Sequence, residues 1–335
     1  MSGTLSLTLM FSGVSSCRVN VFWPILAGCL FASVLVCSQA RAAQVSSNVV
    51  DPDYEQGVQS LRQQQWKSAS SSFEKALKLD PRRADAENGL GVALGKLGDQ
   101  KNSLAAFRRA IEIDSGYAEA HYNLALWLRV SGDVDQALSE LTTAIKLRPD
   151  YEDAQVALAL IFQEAGDTDK AVELFQTVLS EDPRSAEAHN WLGVAYGQKN
   201  HLLDSIAEFQ QAVDLNPEYV EAYNNLGSTL ARARRFDEAI RVFRSALALA
   251  PQNMELRLSL SRALRGKGSL DAALSELTSI LTDSDNAVAE CEMAEILRQK
   301  GDFRGAIEAS EKALTLRPGM GNAYDNLGLA LRGES

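Results

Sequence analysis

Cysteine and histidine are scarce, with four and three among 335 residues. Cys17, Cys29 and Cys37 all lie in the first 42 residues, so Cys291 alone remains and one thiol forms no internal bridge. The chain is therefore held by packing rather than by disulfide staples. His121, His189 and His201 are too far apart to give a close-spaced metal pair on one helix. No glycine-rich phosphate loop, no Gly-x-Ser-x-Gly elbow and no Asn-x-Ser/Thr sequon occurs. Cations are also in deficit. Arg18 and Arg41 are the only charges in the first 42 residues, and the rest carries 31 Lys+Arg against 44 Asp+Glu, a net of −13. Such a chain repels phosphate backbones, which argues against nucleic acid as a partner. These absences give no enzyme, cofactor or metal site to expect.

Long apolar runs are missing after the N-terminus. The exception, Val21 to Val36 (VFWPILAGCLFASVLV), is succeeded by Ala40-Arg41-Ala42, the small-x-small pattern of a signal peptidase site. Residues 1–42 read as a secretory signal cleaved after Ala42 or as an N-terminal membrane anchor. Leu26-Ala27-Gly28-Cys29 is similar to a bacterial lipobox, which leaves a lipid on Cys29 as a further route. Each reading exports the remainder of the chain to the periplasm or the exterior, with or without a membrane tether. Residues 43–49 are a short linker.

Repetition, by contrast, is abundant. From Val50 the residues recur every 34 positions, with one 33-residue step after Met254. Units start near 50, 84, 118, 152, 186, 220, 254 and 287, and a half unit starts at 321, so that 50–335 form one solenoid. The eighth position is small (Gly57, Gly91, Ala125, Ala159, Gly193, Gly227, Ser261, Ala294), as is the twentieth (Ala69, Ser103, Ala137, Ala171, Ser205, Ala239, Ala273, Ala306). Position 24 is bulky from Phe73 to Leu277, and only Ser310 departs. Pairs such as Leu90/Leu94 and Leu124/Leu128 share a helical face. Gly98-Asp99, Gly132-Asp133, Gly166-Asp167 and Gly301-Asp302 supply a left-handed stop and then a helix N-cap. Pro81, Pro149, Pro183, Pro217, Pro251 and Pro318 break the second helix.

Helix, tight turn, helix and stop at this period resemble the tetratricopeptide repeat. The resemblance covers eight full units and a ninth with only its first helix. It implies an all-α, right-handed α-solenoid superhelix whose work is non-catalytic protein binding. Where that family has tryptophan near the start of each unit, this chain has Asp53, Glu87, His121, Gln155, His189, Tyr223, Arg257, Glu290 and Tyr324, so the two histidines read as packing positions.

In the family the first helices line the concave face. Packing leaves positions two, five, six, nine, twelve and thirteen free there, at helical spacing. Position nine is Val58, Val92, Leu126, Leu160 and Val194, then Ser228, Arg262 and Glu295. This predicts an apolar N-terminal wall for a hydrophobic helix or extended peptide, or residues half buried between neighbouring helices. Asn123, Asn225 and Asn326 at position six, with Asn88, Asn190 and Asn224 one residue earlier, resemble fragments of the asparagine ladder in the O-linked N-acetylglucosamine transferase superhelix, which implies bonds to a peptide backbone, or else they follow the family's habit at Asn-Leu-Gly. Tyr54, Tyr122 and Trp191 are aromatic contact candidates. Arg129, Arg232, Arg262, Arg265 and Arg298 form an anion patch if they converge, and a solvated face otherwise. Position two is acidic in seven units (Asp51, Asp85, Glu119, Asp153, Glu187, Glu221, Glu255). Acids suit a helix's first turn, and they exclude the carboxylate clamp of the chaperone-binding members. Cys291 reads as a small packing residue and Trp66 as core.

The leading expectation is an exported or envelope-associated scaffold that binds a peptide or protein segment in the groove. Two alternatives stay open: the substrate-recruiting arm of a longer enzyme such as a glycosyltransferase, and a membrane-anchored envelope or secretion assembly factor. Tyr324, Leu327, Leu329 and Leu331 on the last helix also suggest self-association.

Overall fold

The computed structural model describes residues 51–334, so the readings of the leader, of Cys29 and of the linker lie outside the described residues. Seventeen helices and no strand make up the described residues. In chain order they are α1 (Pro52–Arg62), α2 (Trp66–Leu79), α3 (Ala84–Lys96), α4 (Gln100–Ile113), α5 (Ala118–Val130), α6 (Val134–Leu147), α7 (Glu152–Glu164), α8 (Thr168–Glu181), α9 (Ala186–Gln198), α10 (Leu202–Leu215), α11 (Val220–Arg232), α12 (Phe236–Leu249), α13 (Met254–Lys267), α14 (Leu270–Asp283), α15 (Ala287–Gln299), α16 (Phe303–Leu316) and α17 (Gly321–Glu334). Odd-numbered helices are the first of each unit and even-numbered helices the second. The architecture is a right-handed α-solenoid, with α17 a first helix that packs on both α15 and α16.

The columns of the repeat explain the hairpins. Phe73, Phe107, Leu141, Phe175, Phe209, Phe243 and Leu277 are each at most 2% exposed. Burying such a side chain contributes about 1.5–3 kcal/mol. The residue at position eight faces the ring, and glycine there allows close approach: a Cβ on Gly91 would stand 2.6 Å from Phe107 Cε1, and one on Gly227 2.7 Å from Phe243 Cε1. Ser103 and Ser205 at position twenty donate from Oγ to the carbonyls of Gly91 and Gly193, both at 2.7 Å, which satisfies a buried hydroxyl without enlarging it.

All eight turns inside a hairpin place one residue in the left-handed region. Gly98, Gly132, Gly166, Gly268 and Gly301 do so at φ 81–88°. Gln64, Asn200 and Arg234 do the same at 56–61°, without glycine's freedom. The amides of Asn102, Gln136, Lys170 and Gly305 then donate to the side chains of Asp99, Asp133, Asp167 and Asp302. Second helices end two residues before proline, as at Leu147 and Pro149.

Position four corrects the reading of its histidines as packing residues: it is a polar staple. His121 Nδ1 lies 2.6 Å from Glu140 Oε2 and its Nε2 lies 3.2 Å from the Ser115 carbonyl. His189 repeats both contacts with Glu208 and the Pro183 carbonyl, and Arg257 donates to Glu276 and the Pro251 carbonyl. Each staple ties a first helix to its own second helix and to the preceding turn. Its hydrogen bond with Glu140 raises the His121 pKa above the ordinary 6.5.

Candidate functional site: the concave face

Successive first helices touch directly, as α1 with α3, α9 with α11, α11 with α13 and α15 with α17, whereas second helices meet chiefly the next first helix. The stack therefore curves with first helices inside. Their free stripe forms the concave wall.

Much of the expected apolar wall is consumed by this packing. Leu126 and Leu160 are buried, at 7% and 4% exposure, in the hydrophobic cores formed with neighbouring helices. Val58, Val92 and Val194 are half-buried against the cores. At these positions an open apolar surface is not formed, because helices close enough to touch enclose position nine. Tyr54 lies under the Arg83 guanidinium, 3.7 Å above its centroid, and meets Phe73 edge-on. Tyr122 is fully buried and tilts against Tyr151, itself covered by Arg148 at 3.5 Å.

The asparagines are tied between repeats. Asn123 Nδ2 donates to Asn88 Oδ1 at 2.9 Å, and Asn88 Nδ2 reaches the Tyr117 hydroxyl at 3.4 Å. Asn225, Asn190 and Tyr219 repeat this chain at 3.0 and 3.3 Å. Asn326 Nδ2 donates to the Cys291 carbonyl at 3.2 Å, and Cys291 is buried. These amides serve the stack, so a peptide backbone would have to displace their bonds. Asn224 differs: its Oδ1 is buried with no hydrogen-bond partner among the described residues.

The arginines do not assemble an anion patch. Arg129 pairs with Glu164 at 2.9 Å, Arg262 with Glu292 at 2.8 Å, and Arg265 with Glu292 and Glu295. Arg232 donates to the Gly197 carbonyl at 3.1 Å. Arg298 is half-buried, with an unpartnered Nε. Neighbouring acids neutralise most of this edge.

The position-two acids behave differently along the chain. Asp51 and Asp85 both hold Arg83 at 3.0 Å, and Glu119 holds Arg148 at 2.6 Å. Glu187, Glu221 and Glu255 are exposed, and among the described residues none makes an ion pair. Glu221 feels both Glu187 and Glu255. Burial in surrounding protein raises the pKa of Glu187 and Glu221, and neighbouring carboxylates push the same way. Carboxylates that reach solvent and are still desolvated stand on the wall of a channel. The Trp191 indole faces Glu187 and opposes its shift, although Nε1 makes no hydrogen bond of strict geometry.

Seven buried side-chain polar atoms lack a partner among the described residues, and six belong to the concave stripe: Tyr122 Oη, Gln163 Oε1, Trp191 Nε1, Asn224 Oδ1, Arg265 Nε and Arg298 Nε. Buried polar atoms are paired in the great majority of cases, and six of the seven exceptions lie on this one stripe. Sequence reasoning missed Arg83, Arg148, Tyr117 and Tyr219. The only signal for the tyrosines was a shared spacing, 29 residues from Asn88 and from Asn190.

A stack of helical hairpins with a polar inner wall defines a repeat scaffold for protein–protein interaction. Tetratricopeptide repeat models match residues 54–118, 128–193, 195–253, 224–287 and 291–320, and the chain belongs to the tetratricopeptide repeat family. No curated protein matches it. Among solved structures it is similar to a tetratricopeptide repeat protein from Parabacteroides merdae, with 19% identity over 74% of this chain and 98% of that one, at a TM-score of 0.57. The Cut9-Hcn1 hetero-tetramer of APC/C gives 19% identity over 79% of this chain and 52% of that one, at 0.56. PilF of Pseudomonas aeruginosa gives 21% over 66% and 99%, at 0.54. At such identities the likeness is one of fold.

Proposed function

We propose that this protein is an exported, non-catalytic scaffold that holds an extended segment of a partner protein along its concave face. The observation that carries this reading is the gathering of unpartnered buried polar atoms on that face, at Tyr122, Gln163, Trp191 and Asn224. A segment laid in the channel brings backbone donors and carbonyls to a wall of mixed polar groups. The uncharged run Val21 to Val36, succeeded by Ala40-Arg41-Ala42, supports export. Among the described residues no helix is long and apolar enough to cross a membrane, so any tether would lie in the leader.

A photo-crosslinking residue in place of Ser228, on the concave wall, tests the groove against one in place of Arg244 on the second-helix side. Adducts from Ser228 alone are expected in the native host. Adducts confined to Arg244 would overturn the groove reading. Export is tested separately by N-terminal sequencing of the protein from the envelope fraction, where Ala43 is the expected first residue. Recovery from the cytoplasm with Met1 in place would sink it.

A further inference from the structure

This inference rests on the scaffold reading and adds the chemistry of the bound segment. We propose that the segment held on the concave face is cationic, a Lys- or Arg-bearing stretch of a partner protein seated against Glu187, Glu221 and Glu255. The charge pattern is the first argument. This chain neutralises its concave acids at one end, where Arg83 and Arg148 take Asp51, Asp85 and Glu119. It leaves the next stretch uncompensated, with three carboxylates on three consecutive first helices, α9, α11 and α13. A helix dipole favours an acid in the first turn but does not require that acid to face a channel beside its like-charged neighbours. Like charges held together in partly desolvated surroundings are unfavourable until a cation arrives.

A second, independent observation concerns the wall itself. The Tyr122 hydroxyl is fully buried, has no hydrogen-bond partner among the described residues, and lies in the field of the Asp153 and Glu187 carboxylates. Asn224 Oδ1, on the same helix as Glu221, is a buried acceptor without a donor. Ammonium and guanidinium groups carry only donors, which suits the Asn224 oxygen and the Tyr122 hydroxyl beside the three acids, while the unpartnered N–H groups of Arg265 and Arg298 lie farther along the stripe. Competing cations from the protein stand elsewhere. Arg129, which also acts on Tyr122, is paired with Glu164. Arg232 is eleven residues beyond Glu221 and about 16 Å away at 1.5 Å per residue, where it bonds Gly197. Packed helices lie about 8–10 Å apart, and a segment in the polyproline-II conformation, with three residues per turn and a rise of about 3.1 Å each, presents every third side chain on one face about 9 Å apart. One cation at every third residue matches one acid per repeat.

The test uses a fluorescein-labelled nonapeptide with lysine at every third position and serine elsewhere, titrated into the purified full chain and read by anisotropy. Binding that weakens steeply with salt is expected, and replacing the lysines with glutamine abolishes it. The triple variant Glu187→Gln, Glu221→Gln, Glu255→Gln is expected to bind about tenfold more weakly. It relieves repulsion, so folding is not at risk, and circular dichroism checks this. The matched triple Asp135→Asn, Glu173→Gln, Glu311→Gln removes three exposed charges from second helices and is expected to bind as the wild type does. Equal weakening by both triples, or no binding by the wild type, overturns the proposal. Mapping the Ser228 crosslink to the native partner separates the two readings. A neutral or acidic segment there refutes the cationic inference and leaves the scaffold standing, whereas no adduct refutes both.

Discussion

Replacing Gly91 with alanine directs a methyl group at the ring of Phe107. The Cβ would lie 2.6, 2.8 and 3.0 Å from Cε1, Cδ1 and Cζ, and Phe107 is fully buried and has no room to swing aside. Overpacking of this kind costs about 1–3 kcal/mol, while alanine regains about 1 kcal/mol of helix propensity. The single change therefore loses roughly 0–2 kcal/mol net. Phe107→Leu alone opens a cavity and costs on the order of 1–2 kcal/mol. Together the two changes should offset each other, because the third repeat already pairs Ala125 with Leu141, both fully buried. The fourth repeat, with Ala159 opposite Phe175, departs from this exchange. The double variant is therefore expected within about 1 kcal/mol of the wild type, a favourable coupling of about 1–2 kcal/mol. Solenoids unfold locally, so a global midpoint does not apportion these costs to one hairpin. Native-state hydrogen exchange of the α3 and α4 amides is the suitable assay. If the two costs simply add, to within about 0.5 kcal/mol, the ring does not pack against position eight as described.

Three other outcomes are expected. Arg234→Gly relieves a left-handed residue at φ 61° and should stabilise the α11–α12 hairpin by up to about 1 kcal/mol, read by exchange there; slower protection loss in the wild type would contradict it. Glu221→Gln should raise the denaturation midpoint at pH 7. A carboxyl whose folded pKa is raised loses stability as pH rises above its ordinary 4.5, so the gain should vanish below pH 4.5. A midpoint that falls on substitution would count against the channel-wall geometry. His121, with its pKa raised, stabilises fully below its ordinary 6.5 and progressively less as pH climbs through the folded value. His121→Gln should remove that pH dependence, and an NMR titration that places His121 at or below 6.5 would refute the staple.

Much of the site was illegible in the sequence for a physical reason. Column nine gave the stripe, yet Leu126 and Leu160 vanish into the cores because neighbouring helices pack over them. Asn190 and Asn225 looked like free amides, and only the 35-residue offset imposed by stacking makes them each other's partners. The arginine edge failed for the same reason: Glu292 and Glu295 come from the next repeat, which no single unit's pattern includes. The turn readings at Gly98-Asp99 and its equivalents were legible because they are local, set by φ and one side-chain cap.

By itself, then, the sequence determined the period, the hairpin, its turns and its core columns, since each depends on residues within one 34-residue unit. Tertiary structure decided which polar side chains are occupied between units and which are left on the wall. Asp51, Asp85 and Glu119 share a column with Glu187, Glu221 and Glu255, and nothing in their letters separates them. Only the placement of Arg83 and Arg148 beside the first three does, because charge is compensated through space and not along the chain.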